Sequence, residues 1–245
     1  MITATDRPVL FISDLHLAAE RPALVDLALR FFNGPARGAQ SLYILGDLFE
    51  YWLGDSAIDD VALSVFDALA ALAGTGVAVA FMHGNRDYMV GARAARAGRF
   101  TLLNDPTIID LFGRKAVLLH GDTLCTDDRA YQRDRRFVRA RTSIAITNAL
   151  PRFLIQRMAQ SLRAKSESSK QVKSALLMDV NAAAVEAVFT DAAVDLMIHG
   201  HTHRPAHHRT TVANRPCDRY VLADWYERGS YLEASRDRIL IHDWR

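Results

Sequence analysis

Five short polar clusters hold residue types that bind metal ions: Asp14-Leu15-His16, Gly46-Asp47, Gly84-Asn85-Arg86-Asp87, His120-Gly121-Asp122 and Gly200-His201-Thr202-His203. Asp14, Asp47, Asn85 and four imidazoles (His16, His120, His201, His203) make seven oxygen and nitrogen donors. That set exceeds a tetrahedral zinc and suits two cations sharing a carboxylate, with positions open to water and substrate oxygens. The lack of a thiolate argues against structural zinc. Mixed imidazole and carboxylate ligation favours Mn(II), with Fe or Zn as alternatives, over Mg alone. Asp14 and His16 are two apart, as are His201 and His203, so at an extended strand end each pair points to one side. A glycine precedes Asp47, Asn85 and His201, which permits a tight turn and close backbone approach. Taken singly, these clusters read as ordinary turns or solvated loops. Their joint occurrence in this order points to a metal centre.

The elements that must position them are legible as well. Each cluster directly follows an apolar run. Pro8–Ile12, Ser41–Leu45 and Val77–Met82 are apolar without a period, as strands buried on both faces are. Helical stretches at Pro22–Phe32 and Ile58–Ala73 alternate with them, which is βαβαβ grammar. Further strands are expected at Thr107–Phe112, Ala116–His120, Leu196–His199, Tyr220–Ala223, Tyr231–Ala234 and Arg238–His242. Two packed sheets with helices outside follow. Ligands collect at the carboxyl ends of strands in such sheets, so five clusters at five strand ends converge if the strands are neighbours.

Residues 126–190 break the pattern. Helices are expected at Asp127 to about Thr147, Pro151–Ala164, Ser169–Met178 and Asn181–Asp191, with Pro151 in a first turn and Asn181 as an N-cap. From Arg129 to Lys173 there are twelve Lys or Arg against Asp134 and Glu167, a net charge of +10. The remainder then carries −8, because the 245-residue chain sums to only +2. A stretch so basic in a near-neutral chain faces phosphate, nucleic acid or a lipid surface. Ile146, Leu150, Phe153, Leu154 and Met158 recur there at helical spacing, as an inner helix face does.

The composition, 50% hydrophobic and 24% charged, excludes disorder, collagen and coiled coil. No apolar run reaches the ~18 residues of a membrane span. The first residues lack a basic-then-apolar signal pattern, so secretion is not expected. Cys125 and Cys217 have neither zinc-site spacing nor disulfide density, which fits a reduced cytosol.

The order D-x-H, G-D, G-N, H-G and G-H-x-H resembles the calcineurin-like binuclear metallophosphoesterases, from Asp14 to His203. The resemblance implies an α/β (α+β) fold, a four-layer α-β-β-α sandwich. It implies one domain over 1–245 with 126–190 as a helical, basic cap insertion. It further implies two Mn2+ per chain: Asp14, His16 and His203 on one, Asn85, His120 and His201 on the other, and Asp47 between them. Many members carry histidine after Gly-Asn to protonate the leaving group. Here Arg86 stands there; a guanidinium stays charged but clamps phosphate oxygens. The leaving group must therefore depart without a strong protein acid, as a phosphate monoester leaving a pyrophosphate does.

The wider strings, such as Gly46-Asp47-Leu48-Phe49-Glu50-Tyr51-Trp52 and Ile198-His199-Gly200-His201-Thr202-His203-Arg204-Pro205, look like the UDP-2,3-diacylglucosamine pyrophosphatase family of lipid A biosynthesis. By that resemblance, UDP-2,3-diacylglucosamine is cleaved to 2,3-diacylglucosamine 1-phosphate (lipid X) and UMP. The resemblance further implies attack on the α-phosphorus by a hydroxide bridging the metals. Asp47, Asn85, Arg86 and His201 are the implied catalytic residues. Asn85, Arg86, Asp128, Ser166, Lys170, Lys173 and His201 are the implied substrate contacts. The basic cap would meet the lipid's phosphate and acyl chains and the anionic surface of the inner membrane's cytoplasmic face, as a peripheral protein. His199 reads as strand-end packing, and Asp87 and Asp122 as partners that orient imidazoles or Arg86. The alternatives are a phosphodiesterase or nucleotide pyrophosphatase for a soluble substrate, a catalytically dead scaffold that binds a protein partner, and nucleic-acid binding. Intact ligands speak against the scaffold, and no helix-turn-helix or aromatic-interleaved signature supports a specific nucleic acid. No obligate protein partner is expected.

Overall fold

The computed structural model describes residues 7–52, 54–56, 58–139 and 179–245. The expected helices Pro151–Ala164 and Ser169–Met178, and the apolar stripe from Ile146 to Met158, lie outside the described residues.

Strands β1 (Val9–Ile12), β2 (Ser41–Leu45), β3 (Ala78–Met82) and β4 (Thr101–Leu103) run parallel in one sheet. β10 (Gly229–Ala234) and β11 (Ile239–Trp244) extend it antiparallel, giving the order β11-β10-β1-β2-β3-β4. The second sheet is ordered β5-β6-β7-β9-β8, from β5 (Thr107–Leu111), β6 (Arg114–Leu119), β7 (Leu196–His199), β9 (Arg215–Val221) and β8 (Ala206–Val212). In it β6, β7 and β9 are parallel and the two outer strands antiparallel.

The alternation of side chains explains the layers. Phe11 of β1 points between the sheets, where it joins Leu45, Met82, Leu118, Ile198 and Leu232 in one buried cluster. Its neighbours Leu10 and Ile12 point the other way, into a core shared with α1 (Pro22–Asn33), α2 (Asp60–Gly74) and α3 (Ala92–Gly98). Both faces are dry, so the strand reads as a continuous apolar run. The outer face of the second sheet is covered likewise: Val117, Leu119 and Met197 pack on Val185 and Phe189 of α5 (Ala182–Ala192). The result is a four-layer α-β-β-α sandwich. Burying side chains of this size contributes roughly 1.5–3 kcal/mol each.

Helix ends follow local chemistry. Asp59 caps α2 by accepting from Ala62 N, and Asn181 caps α5 by accepting from Ala183 N and Ala184 N. α4 (Arg129–Val138) lies within the first helix expected in the basic segment, and Asp128 caps it through Tyr131 N. Three elements carry no clear sequence pattern: β4, α3 and the polar edge strand β8. The strand expected at Tyr220–Ala223 begins earlier: β9 shares only Tyr220 and Val221 with it, and the first residues of β9, Arg215-Pro216-Cys217-Asp218, form no apolar run.

Candidate metal centre

β1, β2, β3, β6 and β7 each end in one of the five clusters, and main-chain bonds stitch those ends together. Asp14 N donates to Gly46 O at 3.0 Å, His16 N to Asp47 O at 2.9 Å, and Gly200 N to His120 O at 2.8 Å. The glycines make this approach possible. A Cβ on Gly84 would fall inside the Asp47 side chain and against its main-chain nitrogen, and one on Gly200 inside Ser13 and Asp14.

The paired ligands do not lie on extended strand ends as the two-residue spacing suggests. Asp14 (φ 56°), His16 (φ 52°), Asp47 (φ 53°), His201 (φ 70°) and His203 (φ 55°) are all left-handed. At the ends of β1, β2 and β7, convergence comes from tight turning rather than from side-chain alternation.

The seven expected donors come together. One ligand atom from each of Asp14, His16 and His203 lies within 4.8 Å of the others, and the same holds for Asp14, Asp47 and His120. Asp47 Oδ2 stands 3.8 Å from both His16 Nε2 and His120 Nε2. Its other oxygen is taken, accepting Arg86 N at 2.8 Å. Asn85 Oδ1 lies 3.1 Å from His120 Nε2 and 3.0 Å from His201 Nδ1. Asp14 accepts His201 N at 2.9 Å and the Ser13 hydroxyl, and its Oδ1 is 3.2 Å from His203 Nε2.

Ring orientation is fixed from behind. His120 Nδ1 contacts Leu45 O at 2.8 Å; a carbonyl only accepts, so Nδ1 carries the proton and Nε2 faces the carboxylates. His203 Nδ1 lies 2.9 Å from Asp224, and His16 Nδ1 lies 3.2 Å from Glu50. His16 is buried, and neither of its nitrogens has a hydrogen-bond partner among the described residues.

The electrostatics fit a cation. Burial lowers the His120 imidazole, but Asp47, Asp122 and Asp14 outweigh it and push it up to about 9. His203 is likewise driven up to about 10, burial being overcome by its bonds to Asp14 and Asp224. Burial would raise the Asp14 carboxyl, yet His203 beside it holds it well below the usual range. Carboxylates that draw protons onto these rings also draw a divalent cation, which displaces the protons. Donor types, a buried His16 Nε2 without a hydrogen bond among the described residues, and this anionic field all fit divalent metal.

Burial and neighbouring His120 lower His201 to about 4, so its ring is neutral near pH 7. His199 is buried, with Nε2 3.0 Å from Arg219 and Nδ1 2.9 Å from Gly200 O. Asp87 and Asp122 act differently from expectation. Among the described residues Asp87 hydrogen-bonds to no imidazole; it accepts Gly84 N at 2.8 Å and Leu48 N at 2.7 Å, fastening one ligand turn to another. Asp122 accepts from Tyr131 Oη (2.9 Å), Arg135 Nε (2.6 Å) and Arg139 Nη2 (3.1 Å), and so holds α4 rather than Arg86. Arg139 Nη2 also donates to Gly84 O at 2.7 Å, next to Asn85. Arg86 is half-buried, its guanidinium carbon 6.0 Å from the Tyr51 ring centre. Asp128 is half-buried at the start of α4, whereas Ser166, Lys170 and Lys173 lie outside the described residues. Glu50, Asp224 and Tyr226 were given no role from sequence, and the α4 arginines were read only as part of a basic segment, not as anchors to the metal-binding turns. Glu50 is the one with a signal, lying three residues after Asp47 on the same turn.

This chain belongs to the calcineurin-like phosphoesterases, whose family model matches residues 7–205. Among its relatives is the UDP-2,3-diacylglucosamine hydrolase of Aromatoleum aromaticum, 50% identical over 91% of both chains. Those of Serratia proteamaculans (46%, covering 94% of this chain and 96% of the relative) and Xanthomonas campestris pv. campestris (45%, 95% and 97%) match as fully. Within the superfamily the chain therefore belongs to the UDP-2,3-diacylglucosamine hydrolase family.

Proposed function

We propose that this chain hydrolyses UDP-2,3-diacylglucosamine to lipid X and UMP at a centre of two Mn2+ ions. The convergence of seven donor side chains, in a chain so similar to hydrolases of that name, carries this reading. Asp14, His16 and His203 would hold one ion, Asn85, His120 and His201 the other. Asp47 would bridge; the equal 3.8 Å spacing of Oδ2 from His16 and His120 supports this. When bound, such ions supply Lewis acidity to phosphoryl oxygens and lower the pKa of a water.

The protein's own groups do the rest. Arg86, tethered through its main-chain nitrogen to Asp47, clamps diphosphate oxygens and offsets charge in the transition state. Asn85 and the neutral His201 ring orient the same oxygens so that water enters in line at the α-phosphorus. No described side chain need protonate the leaving phosphate, which departs as a stable anion.

Residues 126–190 are proposed as a cap over this centre, with Asp128, Ser166, Lys170 and Lys173 contacting sugar and phosphate. The anchoring of α4 to Asp122 and Gly84 supports a fixed position for the cap's first helix. Its outer face carries exposed Arg129, Arg133 and Arg136, and Phe137 is 74% exposed. A basic face with a protruding aromatic suits peripheral contact with anionic lipid at the cytoplasmic side of the inner membrane. No helix among the described residues is long and apolar enough to cross a membrane.

The test is hydrolysis of UDP-2,3-diacylglucosamine by metal-stripped protein, with and without Mn(II), in heavy-oxygen water, with Asn85→Ala in parallel. Mn-dependent release of lipid X with the label in UMP is expected, and little turnover by the variant. A chain inert on this lipid but active on a soluble phosphodiester would refute the substrate.

A further inference from the structure

Four side chains close a ring beside the metal-binding turns. His16 Nδ1 lies 3.2 Å from Glu50 Oε2, and Glu50 Oε2 lies 3.7 Å from Arg21 Nη1. The Arg21 guanidinium carbon sits 4.5 Å above the centre of the Tyr226 ring. Tyr226 in turn stacks on His16, ring centres 5.1 Å apart and planes within 14°. His203 meets the His16 ring edge-on, at 5.4 Å. The imidazole is therefore covered on a face, met at an edge and faced by a carboxylate.

We infer that Glu50 is the positioning residue of His16, and that it sets how tightly the Asp14, His16 and His203 group holds a divalent cation. This rests on the proposed ligand role of His16. The argument is one of tautomer and orientation. The Glu50 carboxylate stands at ion-pair distance from Nδ1, outside hydrogen-bonding geometry, and its negative charge favours the ring proton on that side, which leaves the Nε2 lone pair toward Asp47 Oδ2. It also makes the imidazole a stronger donor. Glu50 itself is buried at 6% exposure, where an ionised carboxylate needs a cation nearby. Arg21, at the solvent edge, is that cation, and Tyr226 holds it by its ring face. The Glu50 main chain is fixed as well: its N–H donates to Leu17 O at 3.1 Å, one residue beyond His16. The carboxylate thus has a rigid base, which a positioning role requires.

The experiment is Mn2+ titration of metal-free protein, followed by loss of the free-ion electron paramagnetic resonance signal. Wild type, Glu50→Ala and Glu50→Gln are compared, with circular dichroism of each metal-free protein as a control for folding. Removing such a partner weakens metal affinity roughly 10–100-fold. The alanine variant is expected to lose that much at one site and keep the other. Glutamine retains an acceptor oxygen, so its affinity is expected to stay within about five-fold of wild type. A folded alanine variant with wild-type affinity at both sites would overturn the inference. So would a glutamine variant as weak as alanine. Wild type that binds no Mn2+ would instead overturn the ligand assignment, and this inference with it.

Discussion

Asp122→Ala is expected to cost about 3 kcal/mol of stability, and the reasoning runs through the charges it would strand. The carboxylate is fully buried and joins the His120 turn to α4 through three donors. Burial would raise it, but His120, Arg139 and Arg135 outweigh burial and keep it ionised. Its guanidinium partners are only 17% and 18% exposed, so water replaces the lost carboxylate poorly. Breaking a buried pair by removing one member costs roughly 3–5 kcal/mol. The lower end applies because Arg135 keeps Asp105 at 3.6 Å. In a chain of this size about 1 kcal/mol moves the melting temperature by roughly 2–4 °C, so a fall of about 6–12 °C is expected. Urea unfolding and thermal melts of metal-free protein measure it. A loss below about 1 kcal/mol would refute the view that Asp122 is the anchor of α4.

Gly84→Ala is expected to destabilise by at least the roughly 1–3 kcal/mol of an overpacked site, and to abolish Mn2+ binding, because its Cβ would displace Asp47; a urea midpoint and a metal titration check both. Burial, with Asp122 next in weight, pushes the Cys125 thiol up to about 12, so its thiolate fraction at pH 8 is about 10⁻⁴. Both cysteines are buried, so Ellman's reagent should find almost no thiol in minutes in native protein and two after denaturation. Arg114 pairs with Asp195 at 2.6 Å and Asp218 at 2.9 Å, but the arginine and Asp195 are 39% and 47% exposed. Arg114→Ala is therefore expected to cost no more than about 1 kcal/mol by chemical denaturation, less in high salt.

The parts of the fold that announced themselves are those whose physics is local. β1 is buried throughout, and β2 and β3 are buried in their last two residues, so these runs are largely apolar, and the polar ligands after them stand out. β8 is an edge strand whose five central residues, His207 to Thr211, are polar and exposed, and no hydrophobic period marks it. α3 is seven residues rich in alanine and arginine, too short to show a face. The direct ligand candidates were legible because few residue types can hold a metal. Their supports were not: Asp224 reaches His203 from the loop after β9, and Arg139 reaches Gly84 across 55 positions. Such contacts are set by sheet order, which spacing does not encode. The two-residue spacing misled on geometry, since the chain turns left-handed where an extended strand end was expected.

That left-handed turning has a bearing on how the protein would respond to selection. Five of the seven ligand candidates hold a backbone shape that costs a side-chain-bearing residue roughly 1–2 kcal/mol. Glycine would relieve that cost, but at the buried Asp14, His16 and Asp47 it would also delete contacts worth more, so the relief is open at the half-buried His201 and His203. A laboratory population screened only for survival of heating would thus find gains at two positions chemistry needs, and would drift toward a hardier chain with an impaired centre. Screens that reward turnover along with heat resistance would hold these histidines in place and push improvement outward, to helix caps and exposed edges.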